Sequence, residues 1–371
     1  KGQVLDNDVC GNAMTNVEVK RGSTPVIKGN KIRDGLRCGV YCFRESDALL
    51  EANEISGNAL SAVVVEAAAS ARIVRNRIYG GKQHGVLVLR AGKAYVEGNE
   101  IFANAGAGVQ LEAEADPVII RNKIYDGKQS GVLISDHARG RVEANDIFRN
   151  AMAGIEIRSG ADTVVANNSI YDGAKSGVFV SDDGRGHIVG NKIYGNGGAG
   201  VEVKHGGNPV VKGNEIFDGK QAGIFVNDGG KGVFEGNDVY RNAFAGVEVR
   251  SGSDPVVRLN RIRDGKQTGL LVYDRCKGTF EENEIFANSM AGVAVQAGAE
   301  PRLCRNKIHS NKEYGVFVYD GGKGVVDGCD IYHNADAGVV LQAGADALIT
   351  NCKIRDGGGY GIVSCDESAG E

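Results

Sequence analysis

Asp218-Gly219-Lys220-Gln221 puts a carboxylate beside a lysine in a glycine-bearing turn, directly after the apolar pair Ile216-Phe217. A Gly-Lys pair in that setting raises phosphate binding, in which loop N–H groups and an ammonium cradle an anion at a helix start. The GxxxxGK[ST] spacing is missing, and so is a helix-like segment after it. The same four residues also recur at Asp126–Gln129 and Asp264–Gln267. A site used once is not copied along a chain, but a turn is.

A second candidate is Asp182-Asp183 with Arg185 and His187. Paired carboxylates with a nearby base suit cleavage of a glycosidic bond, often with calcium. Asp182, however, has counterparts at Asp136, Asp228, Asp274 and Asp320. The histidines at 84, 137, 187, 205, 309 and 333 are too scattered for a zinc triad. Lys82-Gln83-His84-Gly85 is a variant of the repeated turn, and no Ser/His/Asp arrangement stands out. The expectation is a non-enzyme with no catalytic residue, no metal and no cofactor.

What positions these residues is a repeat. From Asn7, a step of 23 reaches Asn30, Asn53, Asn76 and so on to Asn306, and only the last two anchors change, to Cys329 and Cys352. Apolar residues stand three before each anchor, two after it, and ten and twelve after it, as in Val201 with Val203. Local spacing of two is strand spacing, and Gly, Asn and Asp punctuate the runs. A unit of 23 residues with three short strands cannot bury its own apolar face, whereas stacked units can. The expected fold is all-β: a single right-handed parallel β-helix of about sixteen coils over residues 1–371. The anchor asparagines are read as left-handed corner residues whose amides also bond from coil to coil.

A second period overlies the first. Five residues after the anchor, Asn and Gly alternate, with Asn311 the exception, and all five prolines lie five before an anchor in the Gly-type coils. The full repeat is therefore a 46-residue double coil. Charges alternate just after the anchor, as in Lys192, Glu215, Asp238 and Arg261, and this pattern reads as coil register. Glu215 beside Asp238 is a like-charge step. Three after the anchor, Tyr79, Phe102, Tyr125, Phe148, Tyr171, Tyr194, Phe217 and Tyr240 form a stack whose favoured role is structural, with sugar or peptide binding the alternative.

Composition narrows the partners. A net charge of −4 and pI near 6.0 give no general attraction to nucleic acid or acidic membranes, and no apolar run has the length of a membrane span. The eight cysteines lack CxxC spacing, which fits free thiols in a reducing compartment, cytoplasmic or nuclear. Cys329 and Cys352 stand one coil apart, within reach of a disulfide, although two buried thiols are favoured. A start at Lys1 suggests a piece of a longer chain whose other parts cap the coil ends, and the last coil is expected to break at Ser364-Cys365-Asp366-Glu367.

The third strand carries the binding candidates. Its outward position, eleven after the anchor, is polar in Asn-type coils (Glu156, Glu202, Glu248) and apolar in Gly-type coils (Tyr41, Leu87, Leu133, Phe179, Phe225, Leu271, Phe317). Tyr273, Tyr319 and Arg250 follow two positions on, and then a row of acids that includes Asp228, Asp274 and Asp320. An apolar stripe among Arg and acids has the make-up of a protein-binding surface. Cover by another segment of a longer chain is the other reading.

The DGKQ turn (126–129, 218–221, 264–267), the GGKG link near 229–237 and the "RNA-x-AG" turn (149–154, 241–246) resemble the CASH-type β-helix repeats of F-box-only proteins. The resemblance covers essentially all coils. It implies a region that recruits a degradation substrate to a cullin-based ubiquitin ligase. Adaptor and cullin would then engage only through an F-box, and no F-box-like helical segment lies in this chain. A scaffold rod in a large assembly and a carbohydrate-binding or carbohydrate-processing protein are the alternatives. Two folds of evidence separate these: an F-box beyond this chain for the first, glycan binding through the aromatic stack for the last.

Overall fold

A computed structural model describes residues 1–365. The chain is a parallel β-solenoid of about sixteen coils, with no helix among the described residues. Each coil contributes one short strand to each of three parallel sheets, as in Val210–Lys212, Glu215–Phe217 and Ile224–Val226. Strands pair with their equivalents 23 residues away, for example Ile55 with Ile78 and Val247 with Leu270. Cα proximity groups the residues into two compact units. Unit 1 is Lys1–Phe179 with Asp183–Lys192, and unit 2 is Val180–Asp182 with the chain from Ile193 on.

In each unit the ladders predicted to face inward do so. Ile73, Ile78 and Val86 of unit 1 are fully buried, as are Val211, Ile216 and Ile224 of unit 2. Short strands suffice because the inward apolar side chains pack against similar apolar neighbours in the adjoining coils, such as Val201 with Ile224 and Ile55 with Ile78.

The corners differ from the sequence reading. The left-handed residue is not the anchor asparagine but the one before it, such as Ala52 (φ 52°), Arg121 (φ 56°) and Leu259 (φ 57°). The preceding residue makes the reversal, which leaves the anchor free to turn its amide inward. Asn99 Nδ2 and the Asn99 backbone N–H both donate to Asn122 Oδ1 at 2.9 Å, and Asn237 does the same to Asn260. The coil-to-coil amide ladder is therefore present, without the left-handed role.

Gly219 likewise does not make the bend. That task falls to Asp218, at φ 52°, whose carboxylate takes two 2.8 Å bonds from Arg241. Glycine at 219 permits a close approach. Its N–H donates to Asn242 Oδ1 at 3.0 Å, and an added Cβ would meet that same oxygen at 3.0 Å. Gly127 with Asn150 and Gly265 with Asn288 repeat the pair, which explains the Gly/Asn alternation.

The prolines explain the rest of the double period. Pro209 is followed one coil later by Gly232 (φ 124°), where a Cβ would lie 2.7 Å from the Pro209 carbonyl oxygen. Pro117 with Gly140 and Pro301 with Gly324 are equivalent. The backbone carbonyl of one coil crowds the next at these places, and glycine relieves it, although Ala48 stands above Pro25.

At the far end of the chain, Ser364 and Cys365 continue the strand Ile362–Cys365 rather than breaking it, while Asp366 and Glu367 lie outside the described residues. Cys329 and Cys352 are free thiols. They stand in for the anchor amides: Cys329 Sγ donates to Leu303 O at 3.6 Å and Cys352 Sγ to Val326 O at 3.4 Å. A hydrogen bond with Cys352, together with burial, holds the Cys329 thiol above the usual range.

Candidate functional site

The aromatic ladder is a structural stack. In unit 1, Tyr79, Phe102, Tyr125 and Phe148 lie nearly parallel at 4.8 to 5.1 Å. In unit 2, Tyr194, Phe217 and Tyr240 do the same at 4.9 to 5.0 Å. The stack resumes beyond the sequence-predicted end as Phe286, His309 and Tyr332. Arg263 interrupts it, with its guanidinium 4.2 Å over Tyr240, and this hid the continuation in the sequence. Rings stacked on both faces present only edges, so a sugar ring finds no face to lie on. Burial and the Glu100 carboxylate push the Tyr125 hydroxyl up to about 12, as expected of a hydroxyl already donating at 2.7 Å.

The like-charge step is resolved by a third residue. Glu215 pairs in register with Asp238, but Arg263 grips Asp238 with bonds of 3.0 and 2.8 Å. In the ladder two before the anchor, Lys212 and Arg258 both reach Glu235 at 2.7 Å.

Asp182 and Asp183 are consecutive left-handed turn residues (φ 50° and 58°), and His187 lies exposed on the strand Arg185–Val189. The two aspartates belong to the third corner, where other coils also turn through left-handed residues. Among the described residues, no group of three or more His, Cys, Asp or Glu is placed to hold a metal ion.

The third sheet bears the candidate docking face. Phe179, Phe225, Leu271 and Phe317 all sit at the outward centre of their strands, between two buried residues. They are half-buried rather than openly exposed. Phe317 is covered by its own neighbours, with Tyr319 stacked on it at 4.2 Å and Tyr314 tilted at 5.1 Å. Asp228, Asp274 and Asp320 are not strand residues at all. They occupy the third corner at φ 46°, 59° and 49°, where Asp tolerates the left-handed conformation, so backbone geometry accounts for that row.

Around Phe225 the face forms a cleft. Glu202 and Glu248 flank it in register on the neighbouring strands. The Arg250 guanidinium lies 4.9 Å over the Phe225 ring, and its Nη1 donates to Tyr273 Oη at 3.3 Å. Tyr273 in turn donates to Glu248 at 2.7 Å. These groups line a cleft of about 480 Å³ together with Gln221 and Phe244. Unit 1 carries a cleft of about 470 Å³ at the same repeat positions, with Leu133, Met152, Glu156 and Arg158 in the corresponding places.

Sequence reasoning missed Met152 and Phe244. Both stand seven after the anchor in Asn-type coils and are about 40% exposed, as is Met290. Their signal was an apolar residue two past a buried asparagine at a spacing of 46 or a multiple of it. Where that row holds glycine instead, at Gly106 and Gly198, the clefts open.

No curated protein sequence matches the chain. Among solved structures, the Vag8–C1 inhibitor complex contains a chain with TM-score 0.63 and 12% identity, over 97% of this chain and 99% of that one. The A-module of the Azotobacter vinelandii mannuronan C-5 epimerase AlgE4 matches with TM-score 0.47 and 14% identity, over 94% and 91%. The periplasmic alginate epimerase AlgG matches at 0.39 and 13%, over 81% and 78%. At these identities the first likeness concerns the fold alone. The family described as "Right handed beta helix region" matches residues 15–170, 153–288 and 255–371, and it supplies the handedness expected from the repeat. The chain thus belongs to the right-handed β-helix family.

Proposed function

We propose that this β-helix is a non-catalytic protein-interaction region that docks its partner on the outer face of the third sheet. The observation that carries this reading is the cleft around Phe225, where an aromatic floor, an exposed Phe244 and convergent Glu248, Arg250 and Tyr273 lie together. An apolar centre with a polar, hydrogen-bonded rim is the composition of a protein-binding hot spot. The DGKQ and GGKG repeats favour, within that reading, the substrate-recruiting region of an F-box-type ubiquitin ligase acting in the cytoplasm or nucleus. That assignment depends on an F-box elsewhere in a longer chain.

The test compares proteins co-purifying with the wild-type chain, with Phe225→Ala/Leu271→Asp, and with Tyr95→Ala on the first sheet. Loss of specific partners from the third-sheet variant alone supports the docking face. An unchanged set removes it. Co-purification of the ligase adaptor with the complete gene product, but not with this β-helix alone, would separate the ligase reading from a scaffold.

A further inference from the structure

Cys329 and Cys352 take the anchor place in adjacent coils, and none of the other six cysteines has a cysteine 23 residues away. Asp330 and Lys353, directly after them, pair in register. That register sets the two Cα atoms about 4.8 Å apart, inside the roughly 4.4–6.8 Å that a disulfide spans. Both sulfurs turn the same way, Cys329 Sγ to Leu303 O and Cys352 Sγ to Val326 O, so one stacks above the other. A hydrogen bond joins the two side chains, and the Cys329 backbone N–H donates to the Cys352 sulfur. Access differs: Cys329 is buried, while Cys352 is partly exposed.

We infer that Cys329 and Cys352 are a reversible redox site, in which Cys352 reacts first with hydrogen peroxide and Cys329 then closes a disulfide between the two coils. The inference is independent of the docking face. The Cys329 thiol and N–H both donate to Cys352, which holds the Cys352 thiol below the usual range and favours the reactive thiolate. That thiolate attacks the O–O bond of the peroxide. An S–O bond forms, the O–O bond breaks, and the departing hydroxide takes up the proton that Cys352 had released. Cys352 is now oxidised to a sulfenic acid, and the peroxide is reduced. With the thiolate consumed, the bond that kept the proton on Cys329 is gone. The Cys329 sulfur attacks Cys352 Sγ, the S–S bond forms, and the sulfenic oxygen leaves as water with the Cys329 proton. Two thiols and one peroxide thus give one disulfide and two waters. Bridging removes both S–H donors, yet Asp327 O and Thr350 O keep the N–H groups of Arg305 and Gly328 at 2.9 and 3.0 Å. Leu303 O and Val326 O lose sulfur contacts of 3.6 and 3.4 Å, which are weak bonds. A thiol reductant reopens the bridge by exchange.

Trypsin leaves both cysteines on one peptide, residues 324–353, because no lysine or arginine stands between them. The full chain is treated with hydrogen peroxide near neutral pH, blocked with iodoacetamide and read by mass spectrometry, with the exposed Cys10 as internal reference. Peptide 324–353 is expected to lose two hydrogens at least about tenfold faster than Cys10 is oxidised, and dithiothreitol should restore them. Cys329→Ser should instead leave Cys352 as a sulfenic acid that dimedone traps. Cys352→Ser should leave Cys329 unoxidised while Cys10 reacts. Bridging no faster than Cys10 oxidation, a bridge that dithiothreitol does not open, or cross-linked copies in place of the internal bridge would each overturn the inference. Sulfenic acid forming on Cys329 in Cys352→Ser as fast as on Cys352 in Cys329→Ser would overturn it too. The wild-type measurement decides the matter even where a variant fails to fold.

Discussion

Asn122 Oδ1 accepts two hydrogen bonds from Asn99, one from the backbone N–H and one from the side-chain amide, each at 2.9 Å. Asn122 Nδ2 donates in turn to Val96 O at 2.9 Å, so one buried side chain satisfies groups in neighbouring coils. Replacing it by alanine leaves the Asn99 N–H and Val96 O without these partners. Asn122→Ala should therefore cost about 2–4 kcal/mol, measured by denaturant unfolding, whereas loss of one exposed ladder charge such as Lys123 should cost little.

Cys329 tests the same ladder in reverse. A thiol is a weak hydrogen-bonding group, and Asn306 Nδ2 approaches Cys329 Sγ only at 3.9 Å. Cys329→Asn restores an amide acceptor to Asn306 and should stabilise by about 1 kcal/mol, read as a rise in Tm. No rise would mean that the thiols fit this end of the ladder better than amides do.

Leu259 holds φ 57° and is about half exposed, at a corner where Gly29, Gly98, Gly213 and Gly236 stand in other coils. A left-handed leucine carries backbone strain with little burial to offset it. Leu259→Gly should raise stability by about 0.5–1 kcal/mol. Gly219→Ala should lower it by about 1 kcal/mol or less, because Asn242 must give way slightly to the methyl, although Asn311 at the equivalent position carries a side chain and still donates to Asn334 Oδ1 at 3.1 Å. The pair gives opposite signs at two glycine-bearing repeat positions.

His309 sits between Phe286 and Tyr332, stacked at 5.1 and 4.6 Å. Burial lowers its pKa from the usual 6.5, and the Glu284 carboxylate only partly offsets this. Burial likewise lowers His84, which accepts the Ala107 N–H through Nδ1. A histidine with a depressed folded pKa binds protons more readily once unfolded. Stability is thus untouched above about pH 6.5 and falls as pH drops from there toward the folded pKa values. His309→Phe keeps the stack and should flatten part of that acid slope in Tm measured from pH 7.5 to 5. An unchanged slope would assign the acid sensitivity elsewhere.

Phe148 has ring contacts on both faces, with Tyr125 at 4.8 Å and Tyr171 at 5.0 Å. Although half-buried, it should behave as a core residue. Phe148→Ala should cost about 2–4 kcal/mol in chemical unfolding, and a value near zero would show that the stack is decoration.

The period of 23 residues, the inward positions and the third-strand stripe were all legible in the sequence, because a strict repeat with strand spacing admits few ways to bury its apolar face. Sequence determined the ladders: Asn on Asn, Ile on Ile, Tyr on Phe. It also showed that the alternation of Asn with Gly and the placement of proline belong to one double coil. Tertiary structure decided what those patterns mean. Only coordinates separate Asp218, which makes the corner, from Gly219, which merely yields space to Asn242. They likewise show that Asp228 stands in a turn and not on the third strand, and that Tyr319 stacks on Phe317 while Phe225 lines a cleft. The reason is geometric. A repeat fixes which residues stack along the axis, but contacts between different positions of a coil, such as Phe244 with the space above Gly198, depend on how the chain turns its corners.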